Sequence, residues 1–283
     1  MTPAITGFDH VLVGVRDLEV ARQTYAHLGF TLSPRGRHIG WGTANYCAML
    51  KRGYIELLGI VDPAQFTNNL DKFLEGGEGL LGLAFASGDV EAAAQDLRAR
   101  GIETQGPNAL SRKLELPEGD LEPAFRNLYL GPEESAGIRA FLCQHLTPEL
   151  VWQEPWLTHA NGAQGLVSLT ASVADPGAAA VAFGTLLGPE AVSAGHGMVE
   201  VATGAGTLRL CAAEALHDLF PGLANLPERP APFLAGFRVA VADIARTAEY
   251  LGGAEVPFLR DGDSLLRLDP RQTHGLVLEF EGA

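Results

Sequence analysis

Cysteine is scarce in this chain, and basic charge is outnumbered. The 283 residues include three cysteines, Cys47, Cys143 and Cys211, with no CxxC pair among them. An odd number in apolar, strand-like surroundings argues against a disulfide framework and for reduced, buried thiols in a cytoplasmic protein. No His stands in a triad context that would make one of them a nucleophile. Lys and Arg total 20 against 34 Asp and Glu, for a formal charge of −14. Such a surface repels phosphate backbones, so neither nucleic acid nor an anionic membrane is expected as a partner. No apolar run is long enough to span a bilayer. The Met1-Thr2-Pro3-Ala4 start has no basic segment leading into an apolar one, so no secretory signal is expected. A GxSxG elbow and an HExxH helix are both missing. Gly76-Gly77-Glu78-Gly79 lacks the Lys-Ser/Thr of a phosphate loop and reads as a turn.

What the chain does have is apolar residues, nearly half of the total, enough for a sizeable core. It also has a phrase that recurs four times without a gap: an apolar strand, an Asp, an aliphatic residue or Pro, then an Ala-rich helical stretch. The aspartates are Asp17, Asp89, Asp175 and Asp243, spaced 72, 86 and 68 residues apart. Repeats on this scale indicate one supersecondary unit used several times. Each Asp is placed to cap its helix by accepting from free backbone N–H groups. In the first copy the spacing of Leu18, Ala21, Tyr25 and Leu28 predicts a helix over 17–28, ended by Gly29. Strands are expected at 30–32, 46–50 and 54–60, which gives a β-α-β-β-β unit. The second copy carries a Pro-, Glu- and Gly-rich insertion over about 106–131. A stretch over 146–164, with Trp152 and Trp156, separates copies two and three and is expected to pack onto one of the halves.

Only the first copy starts its strand with a metal-ligand type. Val11, Val13 and Val15 suit the face beneath the helix, which leaves His10 on the opposite, concave face. On the last strand of the unit, Tyr54, Glu56 and Leu58 share one face. A carboxylate in so apolar a strand is costly unless it is paired or metal-bound. His27 is expected to complement a helix dipole. His159, His196, His217 and His274 sit in loop-like stretches and are expected to be solvated.

Asp9-His10-Val11 opening a strand, Asp17-Leu18 opening a helix and Tyr54-Ile55-Glu56-Leu57 closing the unit resemble the vicinal oxygen chelate superfamily. That superfamily includes glyoxalases, fosfomycin and bleomycin resistance proteins, and extradiol dioxygenases. The segment from Gly36 to Asn45 resembles its glyoxalase-like subgroup. The resemblance implies an α+β fold: four βαβββ modules arranged as two halves with cup-shaped mixed sheets. Residues 1–150 would be the active half and 151–283 a degenerate one. It implies metal ligands on the first and last strands of paired modules. His10 and Glu56 fill two of these places, and Gly82 leaves a third empty. On the last strand of the second module, Gln144 is in phase with Leu142 and Ala140. His145 lies one residue out of phase, and a twist or bulge would turn it inward. In the second half only Glu279 matches a ligand place, so the two-His, one-Glu set of a two-domain extradiol dioxygenase is not expected.

The function implied is a divalent-metal-assisted enzyme of lyase, isomerase or dioxygenase type acting on a small oxygenated metabolite. Glu56 would bind the ion or shuttle a proton, and His38, Thr43, Asn45 and Tyr54 would contact substrate. The alternative is a metal-free protein of the bleomycin-resistance type that sequesters a small molecule. Gly82, Ala84 and Ala86 leave room for one. A homodimer is a further expectation, since members of the superfamily often complete their cups by dimerising.

Overall fold

The computed structural model describes residues 4–195 and 197–282, so the first three residues, His196 and Ala283 lie outside it. The first module runs β1 (Gly7–Gly14), α1 (Leu18–His27), β2 (Gly36–His38), β3 (Thr43–Met49) and β4 (Tyr54–Ile60). A short helix, α2 (Leu70–Glu75), leads to the second: β5 (Gly79–Ala86), α3 (Val90–Ala99), β6 (Thr104–Leu114), β7 (Ala124–Leu130) and β8 (Ala140–His145). The third is β9 (Ala163–Ser172), α4 (Pro176–Leu187), β10 (Val192–Gly195), β11 (Met198–Ala202) and β12 (Thr207–Cys211). After α5 (Leu216–Leu219) comes the fourth: β13 (Phe233–Val241), α6 (Ile244–Gly253), β14 (Leu259–Asp261), β15 (Leu265–Leu268) and β16 (Val277–Gly282).

The four aspartates of the repeat all cap helices. Asp17 accepts from the N–H groups of Glu19 and Val20, Asp89 from Glu91 and Ala92, Asp175 from Ala178, and Asp243 from Ala245 and Arg246. Gly29 follows α1 at φ +89°, where a Cβ would lie 2.9 Å from the Asn161 backbone nitrogen. The valines of β1 pack beneath α1 against Ala21, Tyr25 and Leu28, as the alternation requires. His10 and Leu12 face the other way, and Leu12 joins a separate cluster with Cys47, Met49, Tyr54 and Phe141.

One expected strand falls elsewhere, and one expected insertion is strand. The residues 30–32 are not a strand; the second strand is β2, inside the stretch read as a polar loop. Most of the Pro- and Gly-rich insertion is the strands β6 and β7, with a register shift between Gln105 and Asn108 that accommodates Pro107.

The strands of the first two modules close into a ring. The order is β1-β4-β3-β2-β6-β7-β8-β5, and β5 pairs back onto β1. Antiparallel β2–β6 pairing sets Arg37 beside Lys113 and His38 beside Arg112. In the other two modules β9 and β13 pair at the centre, flanked by β12, β11 and β10 on one side and β16, β15 and β14 on the other. Trp152 and His159 of the 146–164 segment pack onto the first ring: the Trp152 indole donates to Leu50 O, and His159 donates from Nε2 to Met49 O while its Nδ1 accepts the Thr31 N–H. His159 is therefore buried rather than solvated, and its burial lowers its pKa. His274 is also held, by Glu78 at 2.9 Å, whereas His217 is exposed. Among the described residues no helix is long and apolar enough to cross a membrane.

Candidate active site

The ring formed by the first two modules encloses a cavity of ≈ 60 Å³ open to the centre of a water-sized sphere. His10, His38, Thr43, Tyr54, Glu56, Arg112 and Arg139 are among its lining residues. β1 brings His10 to it, and β4, parallel to β1, sets Tyr54 opposite His10 and Glu56 opposite Leu12. The His10 ring stacks on Tyr54 at 4.4 Å and meets the Phe141 edge at 5.5 Å. Its Nε2 lies 3.5 Å from Glu56 Oε2.

On its other side, His10 Nδ1 is 2.5 Å from Asp9 Oδ1. Strict alternation would point Asp9 away from the cavity. Pairing of β1 with β5 instead skips Asp9, since Phe8 faces Phe85 and His10 faces Ala84. The bulge turns the carboxylate to the His10 side. The same Asp9 oxygen lies 3.1 Å from His145 Nε2. Burial alone would raise the Asp9 pKa, but the two imidazoles outweigh it and hold the carboxyl far below its ordinary range.

Of the residues expected to contact substrate, Asn45 on β3 and His38 on β2 lie against Glu56, and Thr43 holds His38. Asn45 Nδ2 donates to Glu56 Oε1 at 2.5 Å. His38 Nε2 lies 3.8 Å from the same oxygen, and its Nδ1 is 2.9 Å from Thr43 Oγ1. Burial again pushes the Glu56 carboxyl upward, but His10, His38, Arg112 and Asn45 overcome it, and its pKa is lowered. His38 is lowered too, because burial outweighs the attraction of Glu56.

Gln144 does not reach the cavity. Its amide accepts from Val90 N and donates to Gly88 O, outside the ring at the start of α3. The phase of β8 is the reverse of the one expected: Ala140 and Leu142 join the core under the helices, while Phe141 and Cys143 face inward. His145 follows them in, without any bulge, and packs against Tyr54, Phe125 and Trp152.

Three site residues escaped sequence reasoning. Asp9 did so because its bulge depends on the β5 partner. Arg112, 3% exposed, came from the segment read as an insertion, and its Nη1 donates to Cys47 Sγ at 3.3 Å. Arg139, just before β8, donates to Asn68 O at 3.0 Å. Neither guanidinium has a carboxylate within ion-pairing distance among the described residues. Arg112 also leaves its buried Nε without a partner, as Asn127 does its Oδ1.

The ligand places can be compared by register. Leu12 faces Glu56 on β4, and Ala84, which faces His10 across β1–β5, pairs with Phe141 on β8. The pseudo-twofold thus maps His10 onto Gly82 and Glu56 onto Phe141, so two of the four places carry no ligand atom. A different donor group exists: one atom each from Asp9, His10 and Cys143 lie within 4.8 Å of one another. There the carboxylate is already shared by two imidazoles, and burial pushes the Cys143 thiol well above its ordinary value. A metal ligand must be the thiolate. In the second half Glu279 is consumed by two arginines, Arg267 at 2.8 Å and Arg238 at 2.9 Å.

A sequence profile of a glyoxalase-like domain matches residues 8–187. No curated protein sequence matches the chain. Among solved structures, a hypothetical protein from Staphylococcus aureus is similar with a TM-score of 0.68 at 13% identity, over 98% of this chain and 99% of that one. A xylose isomerase-like TIM barrel/4-hydroxyphenylpyruvate dioxygenase fusion protein has a TM-score of 0.59 at 13% identity, over 100% of this chain and 49% of that one. A methylmalonyl-CoA epimerase from Mycobacterium tuberculosis is 24% identical over 54% of this chain and 96% of its own, with a TM-score of 0.41. The first two likenesses show the shared fold over essentially the whole chain.

Proposed function

The chain belongs to the glyoxalase-like domain family, and from that premise we propose that residues 1–150 form an enzyme that moves a proton on a small oxygenated metabolite. The reaction is of the isomerase or lyase type, and Glu56 and His10 act as its acid and base. One observation carries this reading: the buried chain Asp9–His10–Glu56, spaced 2.5 and 3.5 Å, that ends on the cavity. Glu56, its pKa lowered, is ionised at neutral pH and able to take a proton from the carbon beside a substrate carbonyl. Asp9 fixes the His10 ring and stabilises the imidazolium formed when Nε2, 3.5 Å away, takes that proton over from Glu56 before it is returned to the substrate. His38 and Asn45 hold the Glu56 carboxylate in place.

The donor set fits a four-ligand divalent site poorly. His10 and Glu56 would supply two ligands, but Gly82 and Phe141 supply none, and the buried Arg112 charge opposes a cation beside Glu56. No step is therefore assigned to a metal. Sequestration without turnover is the second reading, favoured by the apolar lining from Leu12, Leu58, Phe125 and Phe141.

The test is deuterium uptake from heavy water into a set of short 2-oxo acids and hydroxyketones, followed by proton NMR. Wild type is expected to exchange the proton beside the carbonyl, and Glu56→Gln to lose on the order of 10²-fold or more. Equal rates, or no exchange by wild type across the set, would overturn the proposal.

A further inference from the structure

Gly82 does more than fail to bind a metal. A Cβ on it would lie 2.8 Å from Arg139 O, 3.1 Å from Arg139 Cγ and 3.3 Å from Arg139 Cβ. The Arg139 stem thus runs through the space that a side chain at this place would fill. In the first module the corresponding neighbour of His10 is Tyr54. Arg139 donates to the O of Asn68, which also lines the cavity and is one of two consecutive Asn residues in the left-handed region, at φ +54° and +62°. Asparagine tolerates that conformation better than most residues. One guanidinium N–H is used in this way, and no ion pair takes the others among the described residues.

Arg112 lines the same cavity with a buried, unpartnered Nε. Glu56 attracts both arginines only from beyond ion-pairing distance, and two largely desolvated cations with no directly paired carboxylate are costly in a folded protein unless an anion joins them. The second half of this chain shows the satisfied arrangement, with Arg238 and Arg267 both closed onto Glu279. Cavity size bounds the anion. If one water needs about 10–15 Å³ of such volume, ≈ 60 Å³ admits a molecule of about four to six non-hydrogen atoms.

We propose that the cup takes a monocarboxylate of two or three carbons, and that Arg139, admitted by Gly82, receives its carboxylate while Arg112 faces the ligand's second oxygenated group. The proposal rests on reading this cup as the binding site, but it does not require that the cup catalyse anything. A guanidinium suits a carboxylate because its N–H groups form a planar fork.

Thermal unfolding of the full chain would be recorded against rising acetate, glyoxylate and pyruvate. Matched amides and inorganic phosphate would be run in parallel. At least one acid is expected to raise Tm while its amide and phosphate do not. Arg139→Met, which keeps the stem over Gly82, is expected to need at least tenfold more acid for the half-maximal shift, with Arg139→Lys in between. Glu56→Gln is expected to keep the shift while losing proton exchange, which separates this proposal from the catalytic one. The assignment is overturned if no acid outperforms its amide, if phosphate stabilises as strongly as the acids, or if Arg139→Met responds as wild type does.

Discussion

Asp9 is the residue on which the site's geometry turns. One of its oxygens serves both His10 and His145, the first contact buried and the second partly so. Asp9→Asn keeps the shape but removes the charge from hydrogen bonds of a kind worth roughly 1.5–3 kcal/mol each. Urea unfolding at pH 7 should show a loss of at least that size, and a change below ~0.5 kcal/mol would mean the carboxylate is not holding the two rings. Acid should weaken the fold in stages. His38, His159, Glu56 and Asp9 all have folded pKa values below their ordinary ones. Each binds fewer protons folded than unfolded, so its contribution is present above the unfolded pKa and disappears as pH falls through the folded one. The imidazoles begin the loss below 6.5, and the carboxylates extend it below 4.5 and 3.8. Tm measured from pH 8 to pH 4 should therefore decline from near 6.5 downward; a Tm that stays level to pH 5 would contradict the assignment. His10 and Glu56 are legible from strand alternation, whereas His38, Thr43 and Asn45 come only through the resemblance of the segment from Gly36 to Asn45, which reads as a loop and holds β2 and the start of β3. Asp9 was not legible, because a bulge is a property of two strands and only one is visible in its local sequence.

At the scale of elements, the Asp-led phrase encoded helix starts directly, because an N-cap is satisfied by residues two or three positions away. Asp243→Ala frees the N–H groups of Ala245 and Arg246 and should cost about 1 kcal/mol, read from the urea midpoint. An unchanged midpoint would mean that α6 is held by packing alone. Short polar strands are less legible. β2 has three residues, and its partners on β6 lie 74 to 78 residues further along the chain (112−38 to 114−36), so no local pattern announces the pairing. The same blind spot hid Arg112, which β6 carries to the position opposite His38. For β8 the strand was found but its phase was inverted. Ala140 and Leu142 are small or apolar enough to suit either face, and only the helix packing decides between them.

Across the whole molecule, two cups built to one plan have opposite electrostatics. In the second, Glu279 is 2% exposed and closed between Arg238 and Arg267, and Phe220 and Leu223 pack into the same hollow. Removing that carboxylate in Glu279→Ala would leave two guanidiniums without it, a loss of roughly 3–5 kcal/mol. Carboxylate binding and proton exchange in the first cup should be unaffected under conditions where the variant is folded. If exchange fell along with stability, the second cup would be part of the active unit rather than its support. In the first cup the charges are left open toward a cavity, and its carboxylates are spent on imidazoles and an amide. The repeat made the plan readable, but not which cup was filled, since that depends on which charged side chains meet across strands.

The central claim is that Glu56 moves a proton in this cup without help from a bound ion. It is tested most directly by following deuterium uptake with protein stripped by a chelator and verified metal-free by elemental analysis. The account predicts that stripped and untreated wild type exchange at the same rate, and that stripped Glu56→Gln falls at least about 10²-fold below both. Exchange that vanishes on stripping and returns with a divalent ion would contradict it.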